Sequence, residues 1–215
     1  RALNLALDRP ALVRAVLRGA AEPQEGALSP AHLGHVAVAA VHDPAEARRL
    51  LREADAADLT LTVDIPTSLP DEAEALTAAV AAQLSAVGVG LEVRVWPDRT
   101  AYAERVRARS VGDLCLFDSS PVSAFRTLRE KIDSRVRGAW WQGYANAAVE
   151  ALIDRARAET DADARGALYG QAREIMRADP PWLTVWRHVH GFGLAGAHPG
   201  WPMADDGVPD LGALP

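Results

Sequence analysis

The stretch from Leu59 to Trp96 constrains the fold more than any other part of the chain. Leu59-Thr60-Leu61-Thr62-Val63 alternates apolar and polar residues, the pattern of a half-buried strand. Pro66 and Pro70 punctuate a loop, and a helix is predicted from about Asp71 to Val87, with Leu76, Val80, Leu84 and Val87 on its core face. Gly88 stops that helix, and Val89 to Trp96 is the next predicted strand, with Leu91, Val93 and Val95 on one side. Strand, crossover helix and strand in this order make a βαβ unit, so the two strands are parallel. A helix from about Ala101 to Arg109 and a third strand at Asp113 to Phe117 continue the pattern.

The flanks are mostly helical. Near the start, Asp8 can cap a helix in which Pro10 occupies the first turn and Leu12, Val13, Val16 and Leu17 form the apolar stripe. Ala20 to His42 reads as loop. Asp43-Pro44 then repeats the cap-and-proline device, and Ala47, Leu50, Leu51 and Ala54 share one helical face. Asp118 to Ala145 has no clean period. Two helices follow, lined by Val149, Leu152, Ile153 and Ala156 and by Leu168, Ala172, Ile175 and Met176. Pro180-Pro181 ends the second, Trp182 to His188 reads as a strand, and Gly191 to Pro215 is aperiodic and rich in Gly and Pro. The expectation is one α/β domain with a mixed sheet, flanking helices and a C-terminal extension.

A chain of 215 residues can bury a substantial core, and a net charge of −6 does not favour nucleic acid or an anionic membrane surface. Cys115 is the only cysteine and lies in the apolar run Leu114-Cys115-Leu116-Phe117, where it is expected to act as a small hydrophobe. Gly88-Val89-Gly90 follows a helix and opens a strand, the reverse of a dinucleotide loop, and neither a GxxxxGK nor a GxSxG motif occurs. His32, His35 and His42 share a loop, and His188 and His190 would face one side of a strand. None has the partner spacing of a metal site, and no metal or cofactor is expected. Trp140, Trp141 and Tyr144 lie in the aperiodic middle, where they could wall a ligand cleft or anchor a long loop. No apolar run approaches the ~20 residues of a spanning helix. The chain opens at Arg1-Ala2-Leu3-Asn4, already in a helical pattern, and is read as an excised or matured segment.

Several ordered motifs carry a resemblance. Arg1-Ala2-Leu3-Asn4-Leu5-Ala6-Leu7-Asp8-Arg9, the loop with Gly19, Ala20, Pro23 and Gly26, and the helix Asp43 to Ala54 come first. Gln83 to Val89, Tyr144-Ala145-Asn146 through Ile153, Asp161 to Arg165, Leu168-Tyr169 and Pro181-Trp182 follow in the same order. Together they resemble the C-terminal half of family 5 extracellular solute-binding proteins, the dipeptide, oligopeptide and nickel group of ABC importers.

The resemblance implies a lobe like that of a type II periplasmic binding protein, of the dipeptide-binding-protein C-terminal domain type. Residues 1–190 would form the ligand-binding lobe, and 191–215 would cross back to a missing N-terminal lobe. It implies a solute-binding component, with peptide the expected ligand, that delivers to a membrane permease and catalyses nothing. Its place would be the periplasmic or extracellular face of the membrane, lipid-anchored or free. In peptide-binding members a carboxylate after the third strand pairs with the peptide's amino terminus, and Asp118 holds that position here, although Asp113 to Pro121 is shorter than the family's segment. The candidate ligand-binding residues are Phe117, Asp118, Ser119, Ser120, Trp140, Trp141 and Tyr144. A ligand-sensing domain of a transcription regulator is the alternative. An enzyme using Ser119 or Ser120 would need a histidine and an acid converging on one of them.

Overall fold

The computed structural model describes residues 1–68, 70–119 and 123–189. In chain order the elements are α1 (Ala2–Ala6), α2 (Arg9–Leu17), β1 (Ala21–Pro23), α3 (Pro44–Glu53), β2 (Thr60–Pro66), α4 (Ala73–Ser85) and β3 (Gly90–Trp96). They continue with α5 (Arg99–Ala108), β4 (Leu114–Cys115), α6 (Ala124–Lys131), α7 (Ala147–Ala158), α8 (Ala162–Ala178) and β5 (Trp186–His188). The expected extension, residues 191–215, lies outside the described residues, as does His190.

The βαβ unit forms as its periodicity demands. β2 and β3 pair in parallel from Thr60 opposite Gly90 to Pro66 opposite Trp96, and β4 joins the other edge of β2 with Val63 opposite Leu114, giving the order β3-β2-β4. Gly88 makes the turn into β3 with φ +93°. A Cβ there would stand 2.6 Å from the carbonyl oxygen of Ala57, so the position excludes every other residue without a backbone shift. Leu91 packs on the core, but Val93 and Val95, predicted on the same side, are exposed. The helical cover over this edge strand therefore stops short of its C-terminal half.

Proline and aspartate set the helix starts. The Asp8 carboxylate accepts from the Ala11 N–H at 2.9 Å and Asp43 accepts from the Glu46 N–H at 2.9 Å, each with proline in the first turn. Two features were not anticipated. β1 lies inside the stretch read as loop and pairs antiparallel with β5, Ala21 opposite His188 and Pro23 opposite Trp186. α6 lies inside the aperiodic middle. The architecture is the expected α/β lobe with flanking helices, its parallel and antiparallel pairs held in separate small sheets.

Two main cores result. One joins α1 to α4 with the sheet through Leu7, Leu12, Leu51, Leu84 and Val89. The other joins α6, α7 and α8 through Leu128, Ile153, Tyr169 and Ala172. Leu116, Leu183 and Val185 pack on the first and Trp182 on the second, so the exit of β4 and the approach to β5 meet at the seam between them.

Candidate functional site

The seam is built from three segments far apart in sequence. Beyond β4, the Leu116 N–H donates to the Asp64 carbonyl at 3.1 Å, which prolongs the pairing with β2. The buried Tyr102 hydroxyl donates to the Leu116 carbonyl and lies 3.3 Å from that of Asp64, fixing the direction in which the chain leaves the sheet. Phe117 follows. Its ring stacks on Trp140 with centroids 5.1 Å apart and planes at 26°, and meets Trp182 edge-on at 5.4 Å and 88°. All three rings are partly exposed. The Arg99 guanidinium sits 5.7 Å from the Trp140 ring centroid.

The first two helices hold Trp182 in place. Asn4 donates to the Trp182 carbonyl at 2.9 Å, and the buried Arg9 donates from Nε to the Thr184 carbonyl at 2.8 Å. Arg9 also reaches the Asn4 carbonyl at 3.2 Å and Asn4 Oδ1 at 2.5 Å, so one guanidinium braces the element that braces the tryptophan. A planar, always-charged fork suits this task.

Charged groups surround the aromatic corner. Asp118 is exposed, and its carboxyl titrates above the usual carboxylate value. Desolvation by the surrounding protein is the main cause, and Glu72 adds to it, while His188, Arg99 and Lys131 oppose it. Glu72 Oε1 lies 3.2 Å from His188 Nε2. Lys131, 6% exposed, donates from Nζ to the Ser119 hydroxyl at 2.9 Å and lies 5.4 Å from the Phe117 ring centroid. Burial lowers the pKa of its ammonium to about 8.

The structure divides the residues singled out in the sequence. Phe117, Asp118, Ser119 and Trp140 come together at the seam. Trp141 is buried in the loop instead, its indole N–H donating to the Tyr144 carbonyl at 2.6 Å and the guanidinia of Arg109 and Arg137 lying 5.2 and 5.4 Å from its ring centroid. Tyr144 packs on the helical core, and burial pushes its hydroxyl pKa up to about 12. Ser120 lies outside the described residues. His32 is a core histidine, with ring nitrogens 2.8 Å from Ser29 Oγ and 3.2 Å from Thr127 Oγ1, and His35 bonds the Leu28 carbonyl at 3.0 Å. Cys115 is partly buried and its thiol pKa is raised to about 11, chiefly by burial and then by Asp64. Among the described residues, no three His, Cys, Asp or Glu side chains converge as a metal site requires.

Lys131, Trp182, Arg99, Glu72 and His188 are not among the ligand-binding residues expected from the sequence. Ser119, weighed as a nucleophile that would need histidine and acid, has Lys131 as its hydroxyl's partner. Asp64, in β2, is a further residue that the sequence did not single out. It is fully buried and accepts from Arg94 at 2.7 Å, Trp96 Nε1 at 2.6 Å and the Gly112 N–H at 2.5 Å.

Residues 1–120 match the middle region of the bacterial extracellular solute-binding proteins, family 5. The chain belongs to this family. Its curated relatives include the probable di/tripeptide-binding protein 5 of Pseudomonas aeruginosa, 26% identical over 203 residues, which cover 90% of this chain and 38% of the relative. Di/tripeptide-binding protein 4 of the same species is 32% identical over 180 residues, 78% of this chain and 33% of the relative. Among solved structures, the ABC transporter-associated periplasmic binding protein DppA of Helicobacter pylori, in complex with the peptide STSA, superimposes with a TM-score of 0.73 at 19% identity. That superposition covers 86% of this chain and 37% of the other. The chain thus spans well under half the length of these proteins. Phe117, Asp118 and Ser119 fall within the matched span, whereas Lys131, Trp140 and Trp182 lie beyond it.

Proposed function

We propose that this chain is one lobe of the solute-binding component of an ABC importer, that short peptides are its ligand class, and that it is a binding module rather than an enzyme. The observation that carries the proposal is the Phe117–Trp140–Trp182 corner. Three partly exposed rings meet at the seam of two cores, with the Asp118 carboxylate beside them. Aromatic faces next to a few charged groups suit a small organic ligand, and Asp118 would receive a peptide's ammonium, which cannot be buried without a counter-charge. The names of the relatives support peptides as the class.

In this reading a second lobe closes over the corner, and closure is what a permease in the membrane recognises. The protein would work on the periplasmic or extracellular face. No helix among the described residues is long and apolar enough to cross a membrane.

The test is titration of the two-lobed protein with a panel of di- and tripeptides, read by tryptophan fluorescence and calorimetry. Saturable binding in the micromolar range is expected, weakened by Asp118→Asn. This 215-residue chain alone should bind the same peptides far more weakly. If the whole panel leaves the two-lobed protein unchanged, the peptide assignment fails. If the lobe alone binds as tightly as the whole, the two-lobed account of the site fails.

A further inference from the structure

Lys131 is the one lysine in the chain, and it is placed where an ammonium is costly. It projects from the last turn of α6, is 6% exposed, and has as neighbours a neutral hydroxyl and the Phe117 ring. Buried cations are ordinarily matched by a carboxylate in contact. No carboxylate among the described residues forms an ion pair with Lys131. Glu130 bonds Arg126 at 3.1 Å, and Asp118 is exposed on the residue next to Ser119. These two acids act on Lys131 only through space, and Arg126 opposes them. A methionine of similar length would pack here without that cost, so stability does not explain the choice of lysine.

The donor arrangement explains it better. Ser119 Oγ accepts one Nζ–H at 2.9 Å, which leaves the serine O–H and the remaining ammonium hydrogens to donate elsewhere. Two donors 2.9 Å apart, one of them charged, suit the two oxygens of a single carboxylate. The Phe117 ring beneath the ammonium restricts water and so strengthens a charge-assisted bond.

We infer that Lys131 and Ser119 form a carboxylate-binding subsite, so that the ligand carries a free carboxylate against the face of Phe117. The inference rests on the Phe117 corner being the ligand face, as proposed above, and narrows the ligand class. With Asp118 adjacent, the subsite selects molecules that carry opposite charges close together, over amidated or esterified analogues.

Because the chain has a single lysine, labelling with 13C-lysine gives one Cε signal that reports Lys131 with no substitution needed. The chain is titrated with acetate, with dialanine and with dialanine amide, against chloride at equal ionic strength. Acetate and dialanine should move the Lys131 signal along saturable curves and raise its titration midpoint. The amide should require about tenfold more, or fail to saturate. Lys131→Met should remove the preference for dialanine over its amide, read by tryptophan fluorescence, and should melt at the same or a higher temperature than the parent. An equal response to dialanine and its amide, or a Lys131 signal that none of the three moves, overturns the subsite. Tryptophan fluorescence separates this from the peptide assignment. If dialanine changes the fluorescence without moving Lys131, the assignment stands and the subsite falls. If acetate moves Lys131 while neither dialanine nor its amide changes the fluorescence of the two-lobed protein, the reverse holds.

Discussion

Asp64 ties the strands of the parallel sheet together through its side chain. It stands opposite Arg94 in the β2–β3 register, and the ring nitrogen of Trp96 and the backbone of Gly112 converge on the same carboxylate. Burial alone would raise its pKa, but the donors from Gly112, Trp96 and Arg94 outweigh that and hold it below the usual aspartate value. In the unfolded chain an aspartate titrates near 3.9. The stabilisation from Asp64 is therefore complete above about pH 4 and is lost as pH falls through the lower folded value. Asp64→Ala should cost on the order of 3 kcal/mol at neutral pH, since it strands the Trp96 and Gly112 donors and removes the partner of the half-exposed Arg94. Urea unfolding across the acid range checks this, and the parent should lose stability more steeply with falling pH than the variant does. An aspartate inside an apolar strand gives no hint of such a role in the sequence. Its partners come from two other segments, and only the register brings them together.

At the level of elements, local chemistry was legible wherever the element carries its own signal. The Asp8-Arg9-Pro10 and Asp43-Pro44 starts, the apolar faces of α4, α7 and α8, and the βαβ unit all follow from periodicity and caps. β1 has three residues, one of them proline, and exists because β5 pairs with it, so no local pattern announces it. α6 was hidden for a more informative reason. Its buried residues are Ala124, Thr127, Leu128 and Lys131, so half of its inward face is polar and the apolar stripe disappears. Thr127 serves His32, and Lys131 serves the seam. The helix breaks the pattern where the site is built. Removing a signalled cap by Asp43→Ala should cost about 1 kcal/mol by urea unfolding, with the fold kept. Arg9 acts between elements. Arg9→Lys, which keeps the charge but loses the fork, should accelerate amide exchange across Trp186 to His188 well before it affects α7 or α8, as measured by hydrogen exchange.

For the whole molecule, the seam places the candidate site on no single element. Phe117 extends from the sheet core, Lys131 ends a helix of the other core, and Trp182 is fastened by α1 and α2, so relative movement of the two cores would distort the corner. This is also why the sequence did not separate the members of the Trp140–Tyr144 cluster. Two adjacent tryptophans look alike until packing turns one inward and the other toward the seam. The difference has a measurable consequence. Trp141, at 9% exposure, carries a buried N–H bonded to Tyr144 and has two guanidinia near its ring, so Trp141→Phe should cost about 1 kcal/mol of stability with ligand affinity nearly unchanged. Trp140 is only partly buried and offers its ring to Phe117, so Trp140→Ala should leave the unfolding midpoint close to that of the parent. In the two-lobed protein it should weaken ligand binding by about tenfold to a hundredfold, as the loss of an aromatic anchor does. Paired urea melts and titrations on the two variants decide the matter. If Trp141→Phe loses affinity while Trp140→Ala keeps it, the ligand face lies on the other side of the loop, and the seam is only a structural joint.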